Sequence, residues 1–365
     1  MNIVERLKAW ITLIEAVLIK PQDTTQLDAW IDEAEDLTEG LGFEEEDGQL
    51  VDEVLDGYER LFQEQFRSVA TNTLSTVASD LLEKLKGRHQ TEQRSAAWYA
   101  QAATILTASE LGSLFGSPKA RSALILSKVN PVRRPLQPVA VTSQAMSAFD
   151  WGIRFEPVVK QIYNHKYNTT IHELGRLISE VDSRCSASPD GLVESDPLHI
   201  RTGRLIEIKC PVTRIPDGKV PKDYYNQIQL QLQVTGLKAC DFVEAVFTSP
   251  YSSPLKREHL VSPAFRGEIV LLEDSTGTQR YEYSPVNCES DWLSTLDLIV
   301  ERVPWTLYAW HEQVVVASTT WWPSIQPAVD AFWQDVTKAK SDPEFLTSLI
   351  PKKVDSEACL IRIPN

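Results

Sequence analysis

One stretch near the middle of the chain constrains the fold most tightly: Gly203-Arg204-Leu205-Ile206-Glu207-Ile208-Lys209-Cys210-Pro211. Side chains alternate faces along a strand, so Ile206, Ile208 and Cys210 point one way, into a core. Glu207 and Lys209 point the other way, about 6–7 Å apart along the strand. A carboxylate beside an ammonium, backed by an apolar face, suits phosphodiester hydrolysis. The carboxylate holds a hard cation, and the lysine orients or deprotonates the attacking water. Taken alone, the same stretch also fits an exposed strand edge carrying a charge pair.

Three further segments bear on that choice. Ser188-Pro189-Asp190-Gly191 precedes a short apolar strand, and Glu194 to Thr202 reads as the connection back to the first stretch. Folding the two as a hairpin brings Asp190 near Glu207. Two carboxylates sharing a small site repel unless a cation lies between them, and magnesium suits an all-oxygen shell. Asp-Gly is also an ordinary turn pair. Trp151-Gly152-Ile153-Arg154-Phe155-Glu156 places Glu156 on a helix otherwise rich in apolar residues, where it is either a further metal ligand or a surface glutamate. In Tyr224-Tyr225-Asn226-Gln227-Ile228-Gln229-Leu230-Gln231, Gln227 and Gln231 share a helix face and Gln229 is turned away.

The net charge of −15 argues at first against a nucleic-acid partner. Its distribution removes the objection. Residues 1–60 hold 17 Asp/Glu against 4 Lys/Arg, whereas the other 305 residues carry 34 acids and 32 bases. The acidity belongs to one end, and a locally basic groove remains open to the rest. The five cysteines form no CxxC pair, which argues against a disulfide framework or a zinc site. No run approaches the ~20 apolar residues of a membrane span, and no secretory signal is visible. The expectation is an intracellular protein, cytoplasmic or nuclear, with no membrane partner.

Residues 1–90 read as an acidic helical module, with Ile3, Leu7, Trp10, Ile11, Ile14 and Val17 at helical spacing. It is either a solvated interaction module or an acidic surface for a basic partner. Residues 91–345 read as an α/β domain. A helix over Met146 to Tyr167 is followed by strands around 171–177, 190–193 and 204–210. A helix over Tyr224 to Thr235 and a final core strand over Phe242 to Phe247 complete the series. Thr107 or Ser109 caps a helix, and Pro131, Pro135 and Pro138 mark a loop. Strand-like pieces around 268–272 and 314–316 and a helix over Pro323 to Lys340 follow. The tail after Ser341 reads as irregular, with 346–365 set apart from the domain.

In their order along the chain, Trp151-Gly152-x-x-x-Glu156, Ser188-Pro189-Asp190-Gly191, Glu207-x-Lys209-Cys210-Pro211 and Tyr224-x-x-Gln227-x-Gln229 resemble the lambda exonuclease/YqaJ branch of the PD-(D/E)XK nucleases. Thr107-Ala108-Ser109 fits the entry segment of the same family. The resemblance spans about residues 95–250. It implies a restriction-endonuclease-like core, a mixed sheet flanked by helices, with the N-terminal helices added. It implies a DNA nuclease using one or two Mg2+ (or Mn2+) ions, held by Asp190, Glu207, the Ile208 carbonyl and Glu156. Lys209 would activate the water, and Gln227 would position Lys209 or the phosphate. Ser109, Gln229 and Arg154 would touch the substrate. The implied activity is resection of double-stranded ends, 5′ to 3′, beside a strand-annealing protein docked on the N-terminal module, with a homo-oligomer as an option. One departure stands out: Ala102 occupies the place where the family carries a phosphate-binding arginine. Alternatives are an endonuclease of the same fold, on DNA or RNA, and an inactive DNA-binding or scaffold protein.

Overall fold

The computed structural model describes residues 2–18, 24–39, 41–44, 47–131, 140–197, 200–212, 216–248, 265–288 and 291–351. These fall into two packing units. One comprises Met1–Asp80 with Leu198–Arg201, the other Leu81–Pro197 with Thr202–Asn365.

The first unit is helical. Helix α1 (Ile3–Val17) starts at a capping box between Asn2 and Glu5, and α2 (Thr24–Asp36) and α3 (Gly48–Gly87) follow. The apolar positions of α1 legible in the sequence place Trp10 and Ile14 in a core with Leu27, Trp30, Val51, Leu55 and Phe62. The Trp10 indole, fully buried, donates to the Ala34 carbonyl at 2.8 Å, which satisfies its one polar atom.

The second unit is the expected mixed α/β architecture. A seven-stranded sheet runs in the order β2 (Thr170–His172), β5 (Gly191–Ser195), β6 (Leu205–Lys209), β7 (Ala239–Thr248), β10 (Leu298–Val316), β8 (Arg266–Glu273), β9 (Gln279–Tyr283). Only β6 and β7 pair in parallel within it. Helix α8 (Lys222–Thr235) makes the crossover between them and stops at Gly236, whose φ of 74° is the left-handed conformation a helix end favours. A second, three-stranded sheet has the order β1 (Leu106–Thr107), β4 (Cys185–Ala187), β3 (Leu177–Ile178).

Both faces of β6 are covered. Leu205 joins the core built by α8 and α9 (Trp321–Ser341), while Ile206 and Ile208 join the one packed by α7 (Ala148–Tyr167). The strand is therefore central, which excludes the exposed-edge reading of its charge pair. Helix α7 buries Phe155, Val158, Val159 and Ile162, with Phe155 stacked on Phe247 at 4.5 Å.

Several expectations need correction. Strand β7 is not the final core strand: β10 lies between it and β8, nineteen residues long rather than the short piece at 314–316. Pro304 explains why this run did not read as a strand, since proline donates nothing to a ladder. In the structure β10 pairs with β8 from Leu298 to Thr306 and with β7 from Thr306 to Val316, so Pro304 has a paired neighbour on one side only. The tail also begins with a helix, α10 (Pro343–Leu349), where the Asp342 side chain accepts the Phe345 N–H at 3.0 Å and Pro343 sits in the first turn. Short helices α4 (Ala96–Ala102), α5 (Leu111–Leu114) and α6 (Pro118–Val129) surround β1 in sequence. The proline loop falls mostly on 132–139, outside the described residues. No described helix is long and apolar enough to cross a membrane.

Candidate active site

Strand β6 presents Glu207 to the α8 side, where no part of it reaches solvent. A buried carboxylate is tolerable only with its oxygens satisfied, and α8 supplies the donors. Gln227 Nε2 donates to Glu207 Oε1 at 2.7 Å, and Gln231 Nε2 donates to Oε2 at 2.6 Å. Residues four apart on a helix share a face, so one helix turn clamps both oxygens. The Lys209 ammonium also donates to Glu207 Oε1, and it lies 4.9 Å from the Tyr224 ring centroid. Burial works against the charge on Lys209. The Glu207 and Asp190 carboxylates outweigh it and raise its pKa above the ordinary lysine value. Lys209 here is a firmly held cation.

Asp190 enters from the residue before β5, whose Gly191 pairs with Ile206 of β6. Its Oδ2 accepts the Ile208 N–H at 2.7 Å, which fixes it between Glu207 and Lys209 in sequence position. Asp-Gly is not a turn here. A Cβ on Gly191 would come within 2.5 Å of Ile171 Cγ2, so the glycine allows β2 to approach β5 beside the carboxylate. Burial, then repulsion from Glu207 and Glu156, raises the Asp190 pKa well above the ordinary carboxylate range.

Glu156 projects from α7 into the same cleft, between two cations. Lys160 Nζ donates to its Oε1 at 2.8 Å and Arg94 Nη2 to its Oε2 at 2.7 Å. Burial opposes its charge, but Lys160 and Arg94 outweigh burial and keep its pKa low. Ser109 is exposed at the mouth of β1, its hydroxyl 3.2 Å from that of Thr107, and Glu110 accepts the Thr107 N–H at 2.8 Å. Asp190, Glu207, Ile208, Lys209, Gln227, Glu156 and Ser109 all line one cleft of about 410 Å³.

Two expected substrate contacts are not brought there. Arg154 is fully buried and donates to Ser143 Oγ and the Val141 carbonyl, each at 2.7 Å, with Glu301 at 3.3 Å. On α7 it points away from the Glu156 face. Gln229 donates to the Val316 carbonyl at 2.7 Å and accepts the Ser318 N–H at 2.8 Å, tying α8 to the end of β10. Its turned-away position on the helix was visible in the spacing. Gln231 occupies the place the motif reading left out, and helical spacing from Gln227 is the signal that finds it. Ala102 offers its carbonyl to Lys128. Arg176 and Trp98 also line the cleft, and no motif in the sequence marks Arg176.

The donors available to a cation are hard oxygens. Among the described residues no three His, Cys, Asp or Glu side chains are grouped closely enough to hold a metal ion among themselves. Two carboxylates, Asp190 and Glu207, line the cleft on either side of Ile208. Glu156, expected as a ligand, has both oxygens engaged by Arg94 and Lys160. Asp190 is buried beside the Glu207 and Glu156 carboxylates, so burial first and then their repulsion disfavour its charged form. A partly hydrated magnesium-like ion fits such a site, since it needs only one or two carboxylates from the protein.

Residues 97–238 match the family model of the YqaJ-like viral recombinase domain. An uncharacterised protein of Acanthamoeba polyphaga mimivirus is 28% identical over 174 residues, 45% of this chain and 31% of that protein. The match thus spans about a third of the relative's length. Two structures of an alkaline exonuclease from Laribacter hongkongensis, one in complex with dAMP, align with TM-scores of 0.43 and 0.42. Each is 19% identical and covers 70% of this chain and 97% of the other. The family match encloses Ser109, Glu156, Asp190, Glu207, Lys209 and Gln227, so the segment that is similar to the YqaJ-like viral recombinase domain is the one that builds the cleft.

Proposed function

We propose that this chain hydrolyses phosphodiester bonds of DNA with a divalent cation, Mg2+ or Mn2+, working 5′ to 3′ from double-stranded ends. The observation that carries this reading is the meeting of Asp190, Glu207 and Lys209, drawn from β5 and β6, in a cleft lined also by Ser109. The family match supports it.

Asp190, Glu207 and the Ile208 carbonyl would hold the ion. When bound, it would lower the pKa of water and neutralise charge on the phosphate. The chain's own residues prepare the rest. Gln227 and Gln231 fix the Glu207 carboxylate, and the Ile208 N–H fixes Asp190. A group held this rigidly needs no reorganisation as charge develops. Lys209, a stable ammonium, orients the attacking water and stabilises the negative charge that builds on the phosphoryl oxygens. Its ammonium donates to Glu207 Oε1, which holds it at the carboxylate. Glu156, clamped by Lys160 and Arg94, shapes the field of the cleft. Ser109 offers a hydroxyl to the strand end.

The acidic helical module would dock a basic strand-annealing protein, and a homo-oligomer around DNA is compatible with an end-directed enzyme. Digestion of a linear duplex beside a closed circle, with Mg2+ and with chelator, tests the reading. Loss of the linear duplex alone, and only with metal, is expected. Equal cutting of the circle would replace the exonuclease with an endonuclease, and cutting in chelator would remove the metal from the mechanism.

A further inference from the structure

The loop that leads into α4 is fastened on both sides of Arg94. Thr91 exchanges both backbone hydrogen bonds with Arg176, at 2.7 and 3.1 Å. The Gln93 side-chain amide donates to the Leu174 and Pro189 carbonyls, at 2.8 and 3.1 Å, so the residue before Arg94 is tied to the residue before Asp190. After it, the Ser95 hydroxyl accepts the Trp98 N–H at 3.2 Å as the cap of α4 and donates to the Glu92 carbonyl at 2.7 Å. Between these anchors Arg94 has a φ of 65°. A residue with a Cβ enters that left-handed region at a cost, and stays there only where its surroundings over-determine it. The outcome is a long cation aimed into the cleft: Arg94 lines it, and its Nη2 donates to Glu156 Oε2 at 2.7 Å.

Both oxygens of Glu156 are thus held by protein cations, but the two cations differ in kind. Lys160, on Oε1, stands one turn along the same helix, its side chain is 10% exposed, and it also donates to Glu173. Arg94, on Oε2, comes from the loop, and its side chain is 30% exposed. It can swing toward solvent without unpacking α7. Glu156 lines the same cleft as Asp190 and Glu207, yet among the described residues no three acidic side chains gather closely enough to hold an ion. An ion drawing on Glu156 would need an oxygen that the guanidinium already holds, and the two positive charges would repel one another there.

We propose that Arg94 is a tethered countercharge on Glu156, which a divalent cation must displace before Glu156 can serve as its ligand. In the absence of DNA the cleft then takes one ion firmly, at Asp190 and Glu207, and a second one weakly. That the competing ion is a divalent cation rests on the nuclease reading.

The test is calorimetric titration of the full-length protein with Mn2+, without DNA. Wild-type protein should bind one ion per chain well ahead of any second. Arg94→Gly removes the guanidinium and suits the left-handed backbone. It should bind the second ion about tenfold or more above the wild-type protein, the scale of one charge-assisted hydrogen bond. Arg94→Lys keeps the charge and should stay near wild type, and adding Glu156→Gln to Arg94→Gly should abolish the gain. A residue that only braced the loop would move the unfolding midpoint and leave the titration alone. Arg94→Gly with the wild-type titration, a gain that survives Glu156→Gln, or two equal ions in the wild-type protein would each overturn the proposal. Should Arg94→Gly fail to fold by circular dichroism, Arg94→Gln carries the same comparison. Digestion of a linear duplex by the wild-type protein in Mn2+ reports on the nuclease reading separately. A second ion gained at Glu156 without any cleavage supports the countercharge and sinks the nuclease, and cleavage with an unaltered titration does the reverse.

Discussion

At the scale of single residues, the site depends on how Glu207 and Asp190 are held. Removing the Gln231 amide leaves Glu207 Oε2 buried without its donor. An unsatisfied buried charged group costs about 1–3 kcal/mol or more. Gln231→Leu should therefore lower the stability measured by urea unfolding by roughly that amount. It should also slow DNA cleavage by about 10–100-fold, as loss of a group orienting a metal ligand does. Gln229→Leu, which unties α8 from β10, should cost stability without a comparable loss in cleavage rate.

Asp190 gives a second outcome. Its pKa in the folded chain is raised, so between the unfolded carboxylate value (about 3.9) and the folded one the native state binds more protons. Stability contributed by this group is present at low pH and falls as pH rises through that window. A divalent cation would relieve the same repulsion. Mg2+ should raise the thermal midpoint of the wild-type protein at pH 8, more than at pH 5, and Asp190→Asn should lose most of that increment. A midpoint indifferent to Mg2+ at both pH values would argue against the site.

At the scale of elements, the sheet and α7 do the positioning. Phe155 is fully buried against Phe247 and Trp151, and Glu156 is its neighbour on the helix. Phe155→Ala should cost about 3–5 kcal/mol in unfolding free energy. Gly191→Ala should push β2 from β5 and displace Asp190, reducing cleavage more than stability, a split that unfolding and rate measurements made together would reveal.

These elements also show what a sequence can convey. The alternation of β6 was legible because the strand is short and its two faces differ sharply in chemistry. The apolar face of α7 was legible because helical spacing persists over five turns. Strand β10 was not, since Pro304 and two register shifts break its pattern and its partners change halfway. Gln231 was half legible: its helix face was apparent, but its partner Glu207 became so only once α8 was folded over β6. Arg176 carried no signal at all, because no motif marks it and its place in the cleft depends on the pairing of β3 with β4.

At the scale of the molecule, the acidity of the first 60 residues contrasts with a second unit whose cleft is lined by Arg94, Arg176 and Lys209 beside three carboxylates. DNA binding by that cleft should weaken steeply with salt, despite a net charge of −15. Each phosphate contact adds close to one unit to the logarithmic slope, which a titration of affinity against NaCl measures.

The most direct test of the central claim is the rate at which purified Lys209→Ala and Asp190→Asn degrade a linear duplex in Mg2+, with folding verified by circular dichroism. Both should retain wild-type secondary structure and lose at least about a hundredfold in rate. A folded Lys209→Ala protein that digests DNA at the wild-type rate would contradict the account, because the ammonium beside Glu207 would then have no part in the chemistry.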